Sequence, residues 1–383
     1  MKRKVVITIG VVIVGLSLVC SVVLGGVFLS DLYTHVKAEF LERRAILREY
    51  FPPEADIASD PMGDVPGPTR TPSPIGLSRR SPYPRSEVAV APHWEVQVLE
   101  TVRGVRAWQA LQEANQFNMP APPGREYLIV RVRVTCTYAD REVHAIGEND
   151  FRVTGSRLIE YFTANAVAPD PVLDAELYKG EVAEGWAVYL VGQDERSLIL
   201  IIDELADYDE DQRRFIALDE GASFTVPSEL AYIEPTILGA TREAPAPFGE
   251  MVTTEDWQVR VLETIRGEAA WLMAQQTNQF NKPPAEGMEY VLVRLYVRYI
   301  GTRDEPESIR ESYFEAMGST NVAYEMPSVV DPAPKLDARL FPGGEFEGWV
   351  TLQVARDEPD IVAMFEPWLS LSDVNRRFLS LTP

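Results

Sequence analysis

Cysteine and histidine are nearly missing from this chain. Its 383 residues hold two cysteines and three histidines. Cys20 lies in an apolar run and Cys136 in an alternating segment far along the chain, so no disulfide framework is expected. His35, His93 and His144 are too scattered for a metal cluster. Nucleophilic catalysis fails on counting, because His144 is the one histidine inside the repeated region described below and its counterpart is Glu307. No Gly-rich phosphate loop occurs. Neither a catalytic residue nor a metal nor a cofactor is expected. Basic residues are also in short supply, with 36 Lys+Arg against 58 Asp+Glu and a net charge of −22. An acidic surface repels phosphate backbones, which excludes nucleic acid as a partner and favours solubility.

What the chain does have is one long stretch written twice. Trp94-Glu-Val-Gln-Val-Leu-Glu-Thr-Val-Arg-Gly104 returns as Trp257-Gln-Val-Arg-Val-Leu-Glu-Thr-Ile-Arg-Gly267, 163 positions later. Ala-Trp, Asn-Gln-Phe-Asn and Gly-x-Glu-Tyr follow in both copies, and the offset runs without a gap as far as Leu218 and Leu381. The outer part of the protein is one domain made twice.

Ahead of the repeats, Met1-Lys-Arg-Lys4 precedes a run from Val5 to Ser30 that carries no charge. At ~1.5 Å per residue it is long enough for the roughly 30 Å of bilayer hydrocarbon. It is also longer than the about 7–15-residue core of a cleaved signal peptide. An uncleaved transmembrane signal anchor is expected, with the short basic tail cytoplasmic and the domains extracytoplasmic. Acylation at Cys20 would call for a small residue just before it, and Val19 stands there. Leu32, Val36, Phe40, Leu47 and Phe51 then recur at helical spacing among mixed charges, as in a juxtamembrane stalk through which chains could pair. The segments expected are 1–51 anchor and stalk, 52–92 Pro-rich linker, 93–234 first domain, 235–255 second linker and 256–383 second domain.

Within each copy, period-two alternation dominates. Leu128, Val130, Val132, Val134 and Cys136 share one face of a strand, opposite Tyr127, Ile129, Arg131 and Arg133. Val291, Val293, Leu295 and Val297 repeat the apolar face, opposite Tyr290, Leu292, Arg294, Tyr296 and Arg298. The Ala-, Gln- and Leu-bearing stretch around Trp108, and its copy around Trp271, predicts a short helix. Phe151 and Phe314, Leu173 and Leu336, and the Gly turns before Glu184-Gly-Trp186 and Glu347-Gly-Trp349 mark further strands. Many short strands punctuated by turns predict an antiparallel sandwich.

The alternating first strand, the Gly-x-Glu-Tyr strand start and the Gly-turn with Glu-Gly-Trp together resemble a bacterial extracytoplasmic immunoglobulin-like domain family of unknown function, related to telokin-like secreted antigens. The resemblance covers both repeats. It implies a β-sandwich outside the cytoplasm, and it implies no ligand and no catalytic residue. The fold class expected is therefore mainly β, with two tandem immunoglobulin-like sandwiches, each with a short helical insertion, behind a transmembrane and stalk helix.

Two sets of residues are candidates for ligand or partner binding. Trp186 and Trp349 either pack beneath the Ala-Trp helix or form an exposed aromatic platform. Arg131, Arg133, Arg294, Tyr296 and Arg298 either pair with carboxylates across strands or form an anion- or partner-binding face. The recurring carboxylates Glu100/Glu263, Glu126/Glu289, Asp174/Asp337 and Glu184/Glu347 carry no spacing that predicts a hydrolytic pair. The acidic run Asp203–Asp211 lacks the calcium-loop pattern. A membrane-anchored binding protein with an envelope protein or glycan partner is the function expected. Assembly through the stalk and hydrolysis of an envelope polymer are the alternatives.

Overall fold

The computed structural model describes residues 75–203, 213–319, 322–367 and 375–383. The expected transmembrane anchor, the stalk, Cys20, His35 and most of both acidic-loop positions lie outside the described residues. Among the described residues no helix is long and apolar enough to cross a membrane.

The first repeat begins with strand β1 (Ala89–Val90), then β2 (Trp94–Arg103), helix α1 (Val105–Ala114) and β3 (Arg125–Cys136). It continues through β4 (His144–Gly147), β5 (Phe151–Thr154), β6 (Asp174–Leu177), β7 (Val182–Gly192), β8 (Ile199–Ile202) and β9 (Arg214–Ala217). One sheet runs β1-β2-β3-β7, faced by β5-β8-β9 and flanked by the pair β4-β6. The second repeat supplies β10 (Val252–Thr253), β11 (Trp257–Arg266), helix α2 (Gly267–Thr277), β12 (Met288–Tyr299) and β13 (Glu307–Arg310). It ends with β14 (Phe314–Met317), β15 (Ala323–Tyr324), β16 (Asp337–Leu340), β17 (Glu345–Ala355), β18 (Val362–Phe365) and β19 (Arg377–Ser380). Its sheets run β10-β11-β12-β17, β15-β14-β18-β19 and β13-β16. The architecture is a mainly β, antiparallel β-sandwich in each repeat.

The alternation read from β3 and β12 sets the layers. Leu128, Val130, Val132, Val134 and Cys136 face Phe151, Leu200 and Ile202 in the sandwich interior, and Val291 to Val297 do the same in the second copy. The outward face is divided. Its Tyr127–Ile129 half is roofed by α1 in a second apolar cluster with Trp186, and its Arg half is left to carboxylates. One bulge, after Val98 and again after Val261, lets each first strand turn toward the helix that follows.

The Gly of Glu-Gly-Trp is a packing requirement. A Cβ at Gly185 would stand 2.4 Å from the Cα of Leu173, and one at Gly348 would stand 2.6 Å from the Cα of Leu336. The Pro-bearing crossing segment presses against the strand there, bridged in parallel through Val172 to Trp186 and Lys335 to Trp349. Gly185→Ala or Gly348→Ala will cost about 1–3 kcal/mol of stability, read as a lower urea midpoint.

Both expected linkers need correction. Tyr83, in the first, is buried and bridges Ile216, and β1 pairs with β2. Ala246, in the second, is buried and bridges Leu379, and β10 pairs with β11. Gly76 and Gly239, again 163 apart, both take positive φ at the start of these segments. The duplicated unit therefore reaches back to the Gly-x-Ser/Thr-Arg-x-x-Pro of Gly76–Pro82 and Gly239–Pro245. A two-residue strand among prolines is too short to show alternation, which hid these edges from the periodicity argument.

The largest apolar cluster takes in buried residues of both sandwiches. Leu158–Glu160, between β5 and β6, lies antiparallel to the end of β16. Ile159 bridges Leu340, the Glu160 amide donates to the Arg339 carbonyl at 2.8 Å, and the Phe341 amide donates to the Leu158 carbonyl at 2.8 Å. Phe341 is fully buried against Ile199, Ile201, Phe215 and Ala217 on the outer face of β8 and β9. Arg79 seals the junction. Its fully buried guanidinium lies 3.8 Å from the Phe341 ring centroid and bonds Asp304 through Nε at 2.8 Å. Strand addition fixes direction, and the buried phenylalanine supplies the apolar contact.

Candidate functional site

The two tryptophans are not a surface platform. Trp186 is 9% exposed and packs with Ala107, Leu111, Tyr127 and Ile129; Trp349 is 7% exposed and packs with Ala270, Ala274, Tyr290 and Leu292. The small alanines of each helix let it sit close on the sheet, and the indole fills the space between.

The arginine face is largely paired. Arg131 and Arg133 share Glu184 at 2.8 and 2.6 Å, and Arg133 also reaches Gln97. The hydrogen bonds from Arg133, with help from Arg131, hold the Glu184 carboxyl below its ordinary range. Arg294 pairs with Glu347 at 2.6 Å, and Arg298 lies 3.7 Å from Glu345. Burial and a hydrogen bond to Glu345 push the Tyr296 phenol up to about 12, while Arg260 lies over its ring at 5.4 Å. Of the recurring carboxylates, Glu126 and Glu289 are spent in the same way, on Arg103 and Arg266. The exposed pairs among these, Arg133 with Glu184 and Arg294 with Glu347, contribute little to stability and chiefly fix cross-strand register.

Two of the seven predicted residues, Arg294 and Tyr296, line a feature the sequence did not announce. It is a cleft of about 1260 Å³ between the repeats. The first repeat contributes Arg125, Tyr161 and Phe162, and the second contributes Arg294, Tyr296 and Glu345. Arg125 lies over the Tyr161 ring at 5.6 Å, and the Tyr161 hydroxyl donates to Glu195 at 2.7 Å, so this wall is held from behind. Glu160 forms part of the floor. Burial raises its carboxyl above the ordinary value, with Arg339 at 2.8 Å opposing that shift. Trp186, Trp349, Arg131, Arg133 and Arg298 are not part of the cleft lining. The cleft exceeds the roughly 300–1,000 Å³ usual for a small-molecule pocket, and its walls mix guanidiniums, carboxylates and rings. Among the described residues no cluster of His, Cys, Asp and Glu is arranged to hold a metal ion.

No protein-family model and no curated protein matches the chain. Solved structures similar to parts of it include the YjhA protein of Bacillus subtilis, at 16% identity over 36% of this chain and 99% of that one, with a TM-score of 0.27. The secreted protein MPT63 of Mycobacterium tuberculosis is 12% identical over 30% of this chain and 77% of that one, with a TM-score of 0.22. An uncharacterized β-sandwich protein of Clostridium difficile is 10% identical over 37% and 96%, with a TM-score of 0.25. At these values the β-sandwich is read from this chain's own strand pairing.

Proposed function

We propose that this chain is a non-catalytic binding protein of the cell envelope. In this reading the apolar segment Val5–Ser30 is a single-pass anchor, the two sandwiches are immunoglobulin-like modules displayed outside the cytoplasm, and the inter-repeat cleft takes an envelope protein or glycan. The observation that carries the proposal is the cleft itself, whose two walls come from different repeats and are joined by a strand-paired, apolar junction. A junction of this kind presents both walls in a fixed relation, which lowers the ordering cost of binding. Guanidiniums and rings on opposite walls suit a ligand with both polar and apolar faces.

The test compares full-length wild-type protein with Arg294→Glu and Tyr296→Ala for capture of components from a detergent extract of the envelope. Both cleft variants are expected to lose about tenfold or more in capture, while Tyr232→Ala, on a residue 84% exposed and outside the cleft lining, stays at the wild-type level. Equal capture by all four proteins would remove the cleft from the proposal.

A further inference from the structure

Six basic and five acidic side chains line the inter-repeat cleft, on a chain whose net charge is −22. Five of the six basic groups already have a carboxylate. Arg157 lies 3.5 Å from Asp194, Arg294 2.6 Å from Glu347, Arg310 4.0 Å from Asp337, Lys335 2.9 Å from Glu311 and Arg339 2.8 Å from Glu160. Arg125 is the exception. Its guanidinium rests over the Tyr161 ring, and no carboxylate among the described residues pairs with it.

The same wall holds Phe162. Among the described residues it is the one large apolar side chain of the lining that is exposed, at 49%. The buried Arg152 guanidinium lies over its ring, 4.6 Å from the centroid, which gives the ring a fixed backing. The duplication supplies a comparison. Arg125 corresponds to Met288 and Phe162 to Glu325, each 163 residues on, and neither counterpart lines the cleft. The sandwich itself therefore does not demand an arginine and a phenylalanine at these places. They stand where the cleft is.

We propose that the cleft takes a glycan bearing carboxylates, with one carboxylate on Arg125 and the apolar face of a sugar ring on Phe162. The inference rests on the cleft reading above and names the ligand class. Protein interfaces are depleted of charge at their centre and built on apolar anchors. Here eleven of the 25 lining residues are charged, and one exposed ring supplies the large apolar surface. A sugar ring fits that lining, because it has an apolar face and a rim of hydroxyls. The paired guanidiniums and carboxylates hold one another in place and keep donors and lone pairs to spare for those hydroxyls. A phosphate-linked polymer needs a row of open cations to replace its counterions, and the cleft offers one. A planar carboxylate matches the fork of that one guanidinium. Near 0.15 M ionic strength, charges more than about 8 Å away are largely screened, so the acidic surface beyond the cleft does not forbid the contact.

The experiment measures, by calorimetry, binding of the full-length protein in detergent to four kinds of probe. These are oligomers of galacturonic and glucuronic acid, a glucose oligomer of equal length, a glutamate-rich peptide of equal charge, and poly(glycerol phosphate). At least one uronate is expected to bind about tenfold or more tightly than the other three kinds, and to weaken as salt is added. Arg125→Met and Phe162→Glu install the residues of the other copy. Each should lower uronate affinity about tenfold or more while thermal unfolding stays at the wild-type temperature. Arg125→Lys keeps the charge without the fork and should recover part of the loss. No uronate binding, equal binding of the glucose oligomer, the peptide or the phosphate polymer, or uronate binding indifferent to Arg125→Met would each overturn the inference. Capture from the envelope extract separates it from the reading beneath it. Capture that falls in Arg294→Glu while no uronate binds overturns the inference and keeps the cleft, whereas capture unmoved by Arg294→Glu removes the cleft and the inference with it.

Discussion

Trp349→Ala will lower the unfolding free energy of the second repeat by about 3–5 kcal/mol, the range for removing a buried tryptophan. The indole is 7% exposed and fills the space under α2 between Ala270, Ala274, Tyr290 and Leu292. The alanines cannot grow to fill the gap, so the helix must either sink or leave a cavity. Its far end is tied by the Asn281 bond to the Ala274 carbonyl, which resists sinking. Denaturant unfolding of the full-length protein with near-ultraviolet circular dichroism measures the loss. Unchanged stability with lost ligand capture would restore the aromatic-platform reading. Trp186→Ala should behave alike in the first repeat, where Ala107 and Leu111 roof the indole.

Phe341→Ala will cost about 3–5 kcal/mol and uncouple the repeats. The ring is fully buried in the other repeat's outer sheet face, and its loss also removes the surface on which the buried Arg79 guanidinium lies. Wild-type protein is expected to unfold both sandwiches in one transition, because the largest apolar cluster runs through both and Phe341 joins the second to the outer face of the first. The variant should show two transitions by calorimetry. The equivalent residue of the first repeat is Tyr178, which is 54% exposed. Tyr178→Ala should stay within about 0.5 kcal/mol of wild type, as surface substitutions usually do. A single unshifted transition in Phe341→Ala would show that the junction adds no cooperativity.

These expectations differ in how far the sequence announced them. Strands β3 and β12 were legible because a half-buried strand imposes period two, and the residues assigned to the interior from Leu128 to Cys136 are the ones found there. The outward face was legible in outline. Its division between a helix-covered half and an ion-paired half followed from the placement of Ile129 and Leu292 against that of Arg131 and Arg294. The junction was not legible, since Leu158–Glu160 has no periodicity and Phe341 aligns with an ordinary tyrosine. The contact depends on where one repeat lies against the other. A signal existed in the differences between copies, such as Tyr178 against Phe341. The cleft shared the same obscurity, because Phe162 and Tyr296 are distant in sequence and belong to different copies.

The strand-paired junction has one more consequence, for growth. A contact in which one surface of a unit meets a different surface of the next can extend without limit, adding molecule to molecule. The first repeat carries the matching edge at Tyr178, which is exposed. At Gly344 the junction tolerates no side chain, since a Cβ would stand 2.9 Å from the Leu158 carbonyl. The matching position in the first repeat is Glu181, whose carboxylate takes the Tyr178 amide at 2.9 Å, the group that Phe341 uses to bind its partner strand. One glutamate thus both occupies the seat and quenches the donor, so the edge of the first repeat lacks the two features by which the edge of the second joins its neighbour.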